Sequence, residues 1–160
     1  MQNTKSFKSF SKSPYYSTKH STYFDTYDLL LDKYQGKKIT FVEVGIWGGG
    51  SLFMWRDFFG PRARIIGIDL NPEAIKWEKD GFEIADRVDC LFSTNRTTQR
   101  VKGIGSLLTG ISQCVEREKP DLLIYVGDRE EGIATALVAN YMDILFAHLS
   151  GGDPVWGNAD

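Results

Sequence analysis

The chain has 160 residues, 42% hydrophobic and 13% aromatic, with a formal net charge of -2. That length suits one globular domain with apolar material for a core, and the charge balance gives no basic footprint for nucleic acid. No apolar run approaches the roughly 18 residues of a membrane span, and Cys90 and Cys114, without a CxxC motif and with only two histidines in the chain, encode neither a zinc site nor a disulfide framework.

The leader MQNTKSFKSFSKSPYYSTKH carries Lys5, Lys8, Lys12 and Lys19 with no acid and no apolar block. It reads as a mobile tail over residues 1–18 rather than a secretory signal, and the protein is expected in the cytoplasm with free thiols. STYFDTYDLLLDKY (21–34) has helical apolar spacing, a Ser or Thr start and Gly36 beyond its end. KITFVEVGI (38–46) is β-branched and apolar, a buried strand; GGSLFMWRDFFG (49–60) is a helix opening on glycine, whose Phe53, Trp55, Phe58 and Phe59 are read as core. ARIIGIDL (63–70) is a second buried strand, and EAIKWEKDG a short helix with Pro72 at its first turn. VDCLF (88–92) is expected as a short third strand, followed by a long helix up to Lys119, the strand DLLIYV (121–126), the helix EEGIATALVANYM and a last strand ILFAH (144–148).

Apolar strands alternating with helices predict an α/β fold, Rossmann-like, with three layers and a mainly parallel sheet of about five strands. With right-handed crossovers, and strands counted in chain order, the expected order is 3-2-1-4-5. The last strand would then lie at the sheet edge, where it could pair with a second copy of the chain.

The glycine-rich stretch EVGIWGGGS (43–51) joins the first strand to a helix, and Asp69 ends the second strand. In open parallel sheets ligands sit beyond the carboxyl ends of strands, where glycines let backbone and helix N-terminus come close. No GK[ST] follows, which excludes a P-loop, and no GxGxxG can be aligned. What remains is E-x-G-x-x-x-G-G with an acid on the next strand. The plain alternative is that these are turn glycines and a strand-end acid.

The run from Lys19 to about residue 80 resembles motif I of the class I S-adenosylmethionine (SAM) methyltransferases, especially sugar and macrolide O-methyltransferases related to macrocin O-methyltransferase. That resemblance implies that Glu43, Gly45, Gly49 and Gly50 line the amino-acid and ribose portion of SAM, and that Asp69 accepts hydrogen bonds from the ribose hydroxyls. His20 is read as a solvated neighbour of a helix cap rather than a cofactor contact. Beyond the second helix nothing aligns to the adenine-binding strand, the catalytic base or the metal acids such enzymes carry, so no metal site is assigned.

The later sequence, with KPDLLIYVGDRxE followed by a helix and AHLSGGD, is similar to the hydrolysing UDP-N-acetylglucosamine 2-epimerases. The resemblance implies that Asp128 helps move the C2 proton or orient the sugar, and that Arg129, His148, Gly151, Gly152 and Asp153 border the sugar pocket. His148 is equally readable as a core histidine bonded to backbone. The family's second domain, which binds UDP, would begin beyond Asp160.

Residues 19–160 are therefore expected to form one hybrid domain, methyltransferase-like over 19–82 and epimerase-like over 83–160, with a seam near Gly81 to Ala85. Three functions follow: a SAM-binding methyltransferase-like protein, a fragment of a UDP-sugar epimerase, or a non-catalytic fusion product. Both resemblances point to sugar or surface-polysaccharide metabolism and to small-molecule ligands, SAM or a UDP-sugar, rather than nucleic acid or membrane.

Overall fold

The computed structural model describes residues 3–69, 72–87, 96–127 and 129–151. Five strands, β1 (Thr40–Val44), β2 (Arg64–Asp69), β3 (Glu83–Arg87), β4 (Leu122–Val126) and β5 (Phe146–Leu149), form one parallel sheet in the order β3-β2-β1-β4-β5. The α-helices are α1 (Lys5–Ser11), α2 (Ser21–Leu31), α3 (Gly50–Phe59), α4 (Thr97–Glu118) and α5 (Glu130–Tyr141), with 3-10 turns at Asp32–Tyr34 and Pro72–Asp80. This is the Rossmann-like three-layer arrangement expected from the alternating pattern.

Strand periodicity divides the core into two layers. Phe41, Leu122, Ile124 and Ile65 point to one face, where they meet α2 and α3 through Phe24, Tyr27, Leu31, Leu52, Trp55 and Phe59. Val42, Val44, Ile66, Ile68, Leu123 and Tyr125 point to the other, against Leu107, Ile111, Cys114 and Val115 of α4 and Ala134 and Val138 of α5. Each central strand is apolar on both sides because both sides are covered. Cys114 is buried in this second layer, while Cys90 lies outside the described residues.

Three expectations change. The leader, expected to be mobile, contains α1, docked on α2 and α3. Phe7 and Phe10 each approach the Phe24 ring at 5.2 Å, and Ser6 Oγ donates to the Phe24 carbonyl at 3.0 Å. The amides of Lys5 and Ser6 donate to the Asp28 carboxylate at 2.7 and 2.9 Å, meeting donors that the first turn of a helix leaves unpaired. At the other end Ser9 Oγ and Lys12 Nζ converge on Asp57. Lysines and hydroxyls hid a small apolar face; here the hydroxyls are the groups that make burial tolerable.

The third strand is Glu83–Arg87, paired with β2 through Ile66 opposite Glu83 and Gly67 opposite Ile84, whereas the expected strand 88–92 lies outside the described residues. The alternation in EIADR sends Ile84 toward one core and Ala85 toward the other, the period-two pattern of a strand covered on both faces. Pro72–Asp80 is 3-10 rather than α-helical.

Candidate functional site

β1 and β4 are adjacent parallel strands whose onward connections leave toward opposite faces, α3 to one and α5 to the other. That divergence opens a crevice at their carboxyl ends, the place where open α/β sheets hold ligands. A cavity of about 510 Å³ lies there, lined by Val44, Gly45, Trp47, Ile68 and Asp69 from the first half of the chain. Leu107, Ile111, Tyr125, Val126, Arg129 and Glu131 from the second half complete it. Its size falls within the range of small-molecule sites.

The glycine loop is held from beneath by the second strand. Gly45, at φ 83°, donates its amide to the Ile68 carbonyl at 2.8 Å. The next two amides, of Ile46 and Trp47, both donate to Asp69 Oδ2, at 2.8 and 2.9 Å. Trp47 takes a left-handed conformation, φ 39°, unusual for a bulky residue; the two bonds to Asp69 are what fix it there. Asp69 thus shapes the loop as well as bordering the cavity. Trp47 remains 67% exposed at the rim, its indole 5.3 Å from the Tyr16 ring.

The other glycines of the loop face the chain itself. A Cβ at Gly48 would overlap the Tyr16 carbonyl oxygen, one at Gly50 the carbonyls of Tyr15 and Tyr16, and one at Gly49 the Trp77 indole. The Gly50 amide, at the start of α3, donates to Tyr16 at 3.3 Å, and the Tyr15 ring lies against Phe53 and Trp77 at 5.1 and 4.5 Å. Residues 15–16 therefore cross the loop as a strap in direct contact with its backbone.

Glu43 points away from the cavity, into the layer beneath α2. Its side chain is 1% exposed, and Oε1 meets Lys19 Nζ at 3.4 Å, where the lysine side chain is itself 5% exposed. Its Oε2 accepts no hydrogen bond, nor is the buried Tyr27 hydroxyl paired. Burial first, and the Glu43 charge second, push the Tyr27 hydroxyl far above its ordinary pKa. Of the five residues that the methyltransferase resemblance nominates, Gly45 and Asp69 reach the cavity, while Glu43, Gly49 and Gly50 are engaged by Lys19, Trp77 and the strap.

On the other wall, Arg129 lines the cavity with its guanidinium side chain 75% exposed. His148 does not reach the cavity lining: its Nε2 donates to the Gly127 carbonyl at 2.8 Å and its ring packs 5.4 Å from Tyr125. Gly151 lies directly on that ring, where a Cβ would overlap Nδ1. The backbone-bonded reading of His148 is the one its hydrogen bond supports. Ser150, in the same turn, makes a hydroxyl contact with Tyr23 of α2. Asp128, Gly152 and Asp153 lie outside the described residues. Among the described residues no cluster of His, Cys, Asp and Glu could hold a metal ion.

Sequence reasoning did not single out Trp47, Leu107, Ile111, Tyr125 or Glu131. Glu131 was visible as the last residue of GDRxE; the helical pair Leu107 and Ile111 carried only a core signal, because a cavity wall and a core wall have the same periodicity.

Residues 63–157, more than half of the chain, match the family model described as UDP-N-acetylglucosamine 2-epimerase. The chain belongs to that family. The match starts at the beginning of β2, well before Gly81. Residues of the chain are 32% identical over 74 residues to the UDP-N,N'-diacetylbacillosamine 2-epimerase (hydrolyzing) of Legionella pneumophila, covering 46% of this chain and 20% of that protein. They are 31% identical over 78 residues to the mycinamicin VI 2''-O-methyltransferase of Micromonospora griseorubida, covering 39% of this chain and 19% of that protein. The chain thus spans about a fifth of the length of these relatives. Both resemblances are present in one chain.

Among solved structures, the MycE methyltransferase of the mycinamycin pathway, in complex with Mg, SAH and mycinamycin VI, superposes with a TM-score of 0.57 at 21% identity, over 90% of this chain and 35% of that one. The Methanocaldococcus jannaschii UDP-GlcNAc 2-epimerase, in complex with UDP-GlcNAc and UDP, gives 0.53 at 20% identity, over 74% and 34%. At these identities the likeness establishes the shared Rossmann-like fold. No described helix is long and apolar enough to cross a membrane.

Proposed function

We propose that the cavity beside Gly45 and Asp69 binds a SAM-class nucleoside cofactor, within a hybrid domain that joins a methyltransferase-like first part to an epimerase-like second part near residues 81–85. The observation that carries this is the composition of the cavity: apolar walls from Val44, Ile68, Leu107 and Ile111 suit a nucleobase, and among the described residues the charged groups on its lining are two carboxylates, Asp69 and Glu131, against one guanidinium, Arg129. A sulfonium-bearing ligand is favoured by that balance, while a diphosphate, with two negative charges in a partly desolvated cleft, is opposed by it.

A second reading, a UDP-sugar at the same end of the sheet, is favoured by membership of the epimerase family and by Arg129 on the cavity wall. Under it Asp128 would act at the sugar C2, with Gly152 and Asp153 continuing the pocket; turnover would call for groups that lie elsewhere in the relatives, because this chain covers about a fifth of their length. We place the protein in the cytoplasm, in sugar or surface-polysaccharide metabolism, and take the β5 edge as the place where two chains would pair.

Thermal melts with S-adenosylhomocysteine (SAH) and with UDP-N-acetylglucosamine distinguish the readings. A ligand at about 100 times its Kd stabilises the fold by roughly 2.7 kcal/mol, a rise of roughly 5–10 °C for a domain of this size. A rise with SAH alone supports the first reading and a rise with the UDP-sugar alone replaces it with the second. A cooperative melt moved by neither leaves the fusion without a retained site.

A further inference from the structure

We propose that Arg129 and Glu131 form a clamp for an α-amino acid, holding the amino-acid end of the nucleoside ligand from the epimerase-like wall of the cavity. The inference rests on the SAM-class reading and assigns its polar end to residues that the methyltransferase resemblance does not nominate. Glu43 is on the opposite face of the sheet, paired with Lys19, and the Gly50 amide is bonded to Tyr16, so neither is presented to the cavity.

The opposite wall presents a complementary pair. Glu131 lines the cavity, and its Oε2 is buried and accepts no hydrogen bond. A carboxylate oxygen removed from water in this way is stabilised by a charged donor. Arg129 Nε lies 4.0 Å from it, too far for a hydrogen bond. The gap leaves the two side chains able to address adjacent groups of one ligand. A zwitterionic α-amino acid meets both: its ammonium donates to Glu131, and its carboxylate accepts from the planar guanidinium, which can donate two parallel N–H bonds. A dianionic group would satisfy Arg129 while facing the Glu131 charge, so the pair discriminates by charge arrangement and not by charge alone. The ligand class is therefore a nucleoside carrying a free amino-acid terminus.

The test is calorimetric titration of the full chain with SAH and with 5′-methylthioadenosine, which keeps the nucleoside and thioether but lacks the amino-acid end. Hydrogen bonds to charged groups are worth enough that wild-type protein should prefer SAH by about tenfold or more. Glu131→Gln and Arg129→Met should each remove most of that preference by weakening SAH, with methylthioadenosine affinity unchanged within about twofold. Arg129 is sufficiently exposed for its variant to fold whatever happens to Glu131→Gln. Methylthioadenosine binding with no preference for SAH, or a preference that survives both variants, overturns the clamp while leaving the nucleoside reading intact. Binding of neither ligand to wild-type protein overturns both.

Discussion

The two faces of the sheet solve different problems with the same strands. The face under α2 and α3 is built from interlocking rings: Trp55 lies between Tyr27, Phe41 and Phe59, with centroids 4.8 to 5.6 Å apart. It closes over a buried ion pair. The face under α4 and α5 is aliphatic and opens at its carboxyl end into the cavity. The difference shows how sequence resembling two families can share one domain. Helices α1 to α3 cover one face and α4 and α5 the other, so the two groups need not interdigitate. They meet chiefly through the sheet, where β1 pairs with β4 and β2 with β3. Volume matching, the demanding part of a mixed core, is thereby confined largely to each face.

The largest expected effect tests the closed face. Lys19→Met leaves the Glu43 carboxylate buried without its partner, and should cost about 3 kcal/mol in chemical denaturation. Adding Glu43→Gln should restore part of that loss. SAH binding should persist in whatever fraction folds, because neither residue reaches the cavity; loss of binding in a fully folded Lys19→Met protein would break the separation of the faces.

A smaller effect concerns acid. Partial burial works against ionisation of Asp57, yet hydrogen bonds from Lys12 and Ser9 hold its carboxyl below the ordinary value; Asp28 is likewise lowered by Ser6 and Lys5. A depressed folded-state pKa contributes stability that is present above the unfolded value, near 4, and lost as pH falls through the folded value. Amide exchange over residues 5–12 should therefore accelerate below about pH 4, after correction for intrinsic rates, before the core strands open. Asp57→Asn should weaken that pH dependence. Uniform exchange of α1 and the core across this range would contradict the docking.

The smallest effect lies at the surface between β2, β3 and α4. Arg64 of β2 pairs with Glu83 of β3 and Glu118 of α4, tying three elements together at the surface, but its side chain is 42% exposed. Arg64→Ala should cost no more than about 1 kcal/mol, and a larger loss would mean that these surface charges contribute more to holding β3 and α4 beside β2 than an exposed ion pair ordinarily does.

Much of this architecture was legible in the sequence because apolar runs buried on both faces announce a parallel sheet, and EVGIWGGGS announced its turn. What could not be read was which partner each loop group would meet. The glycines at 48 to 50 carried the signal of close approach, but the approaching groups are Tyr15, Tyr16 and Trp77. α1 was missed because two phenylalanines among lysines and serines give a weak apolar stripe, and its docking depends on hydroxyl and carboxylate partners 18 to 48 residues away in sequence. Lys19 and Glu43 likewise pair across a distance that no local pattern encodes.

The most direct test is a methyl and amide NMR titration of the full chain with SAH. The account predicts progressive shifts at Gly45, Ile68, Leu107 and Ile111, with the Phe24 and Trp55 layer unmoved. Shifts confined to the strap and the closed face, or none at SAH concentrations far above a typical cofactor Kd, would contradict a nucleoside site between β1 and β4.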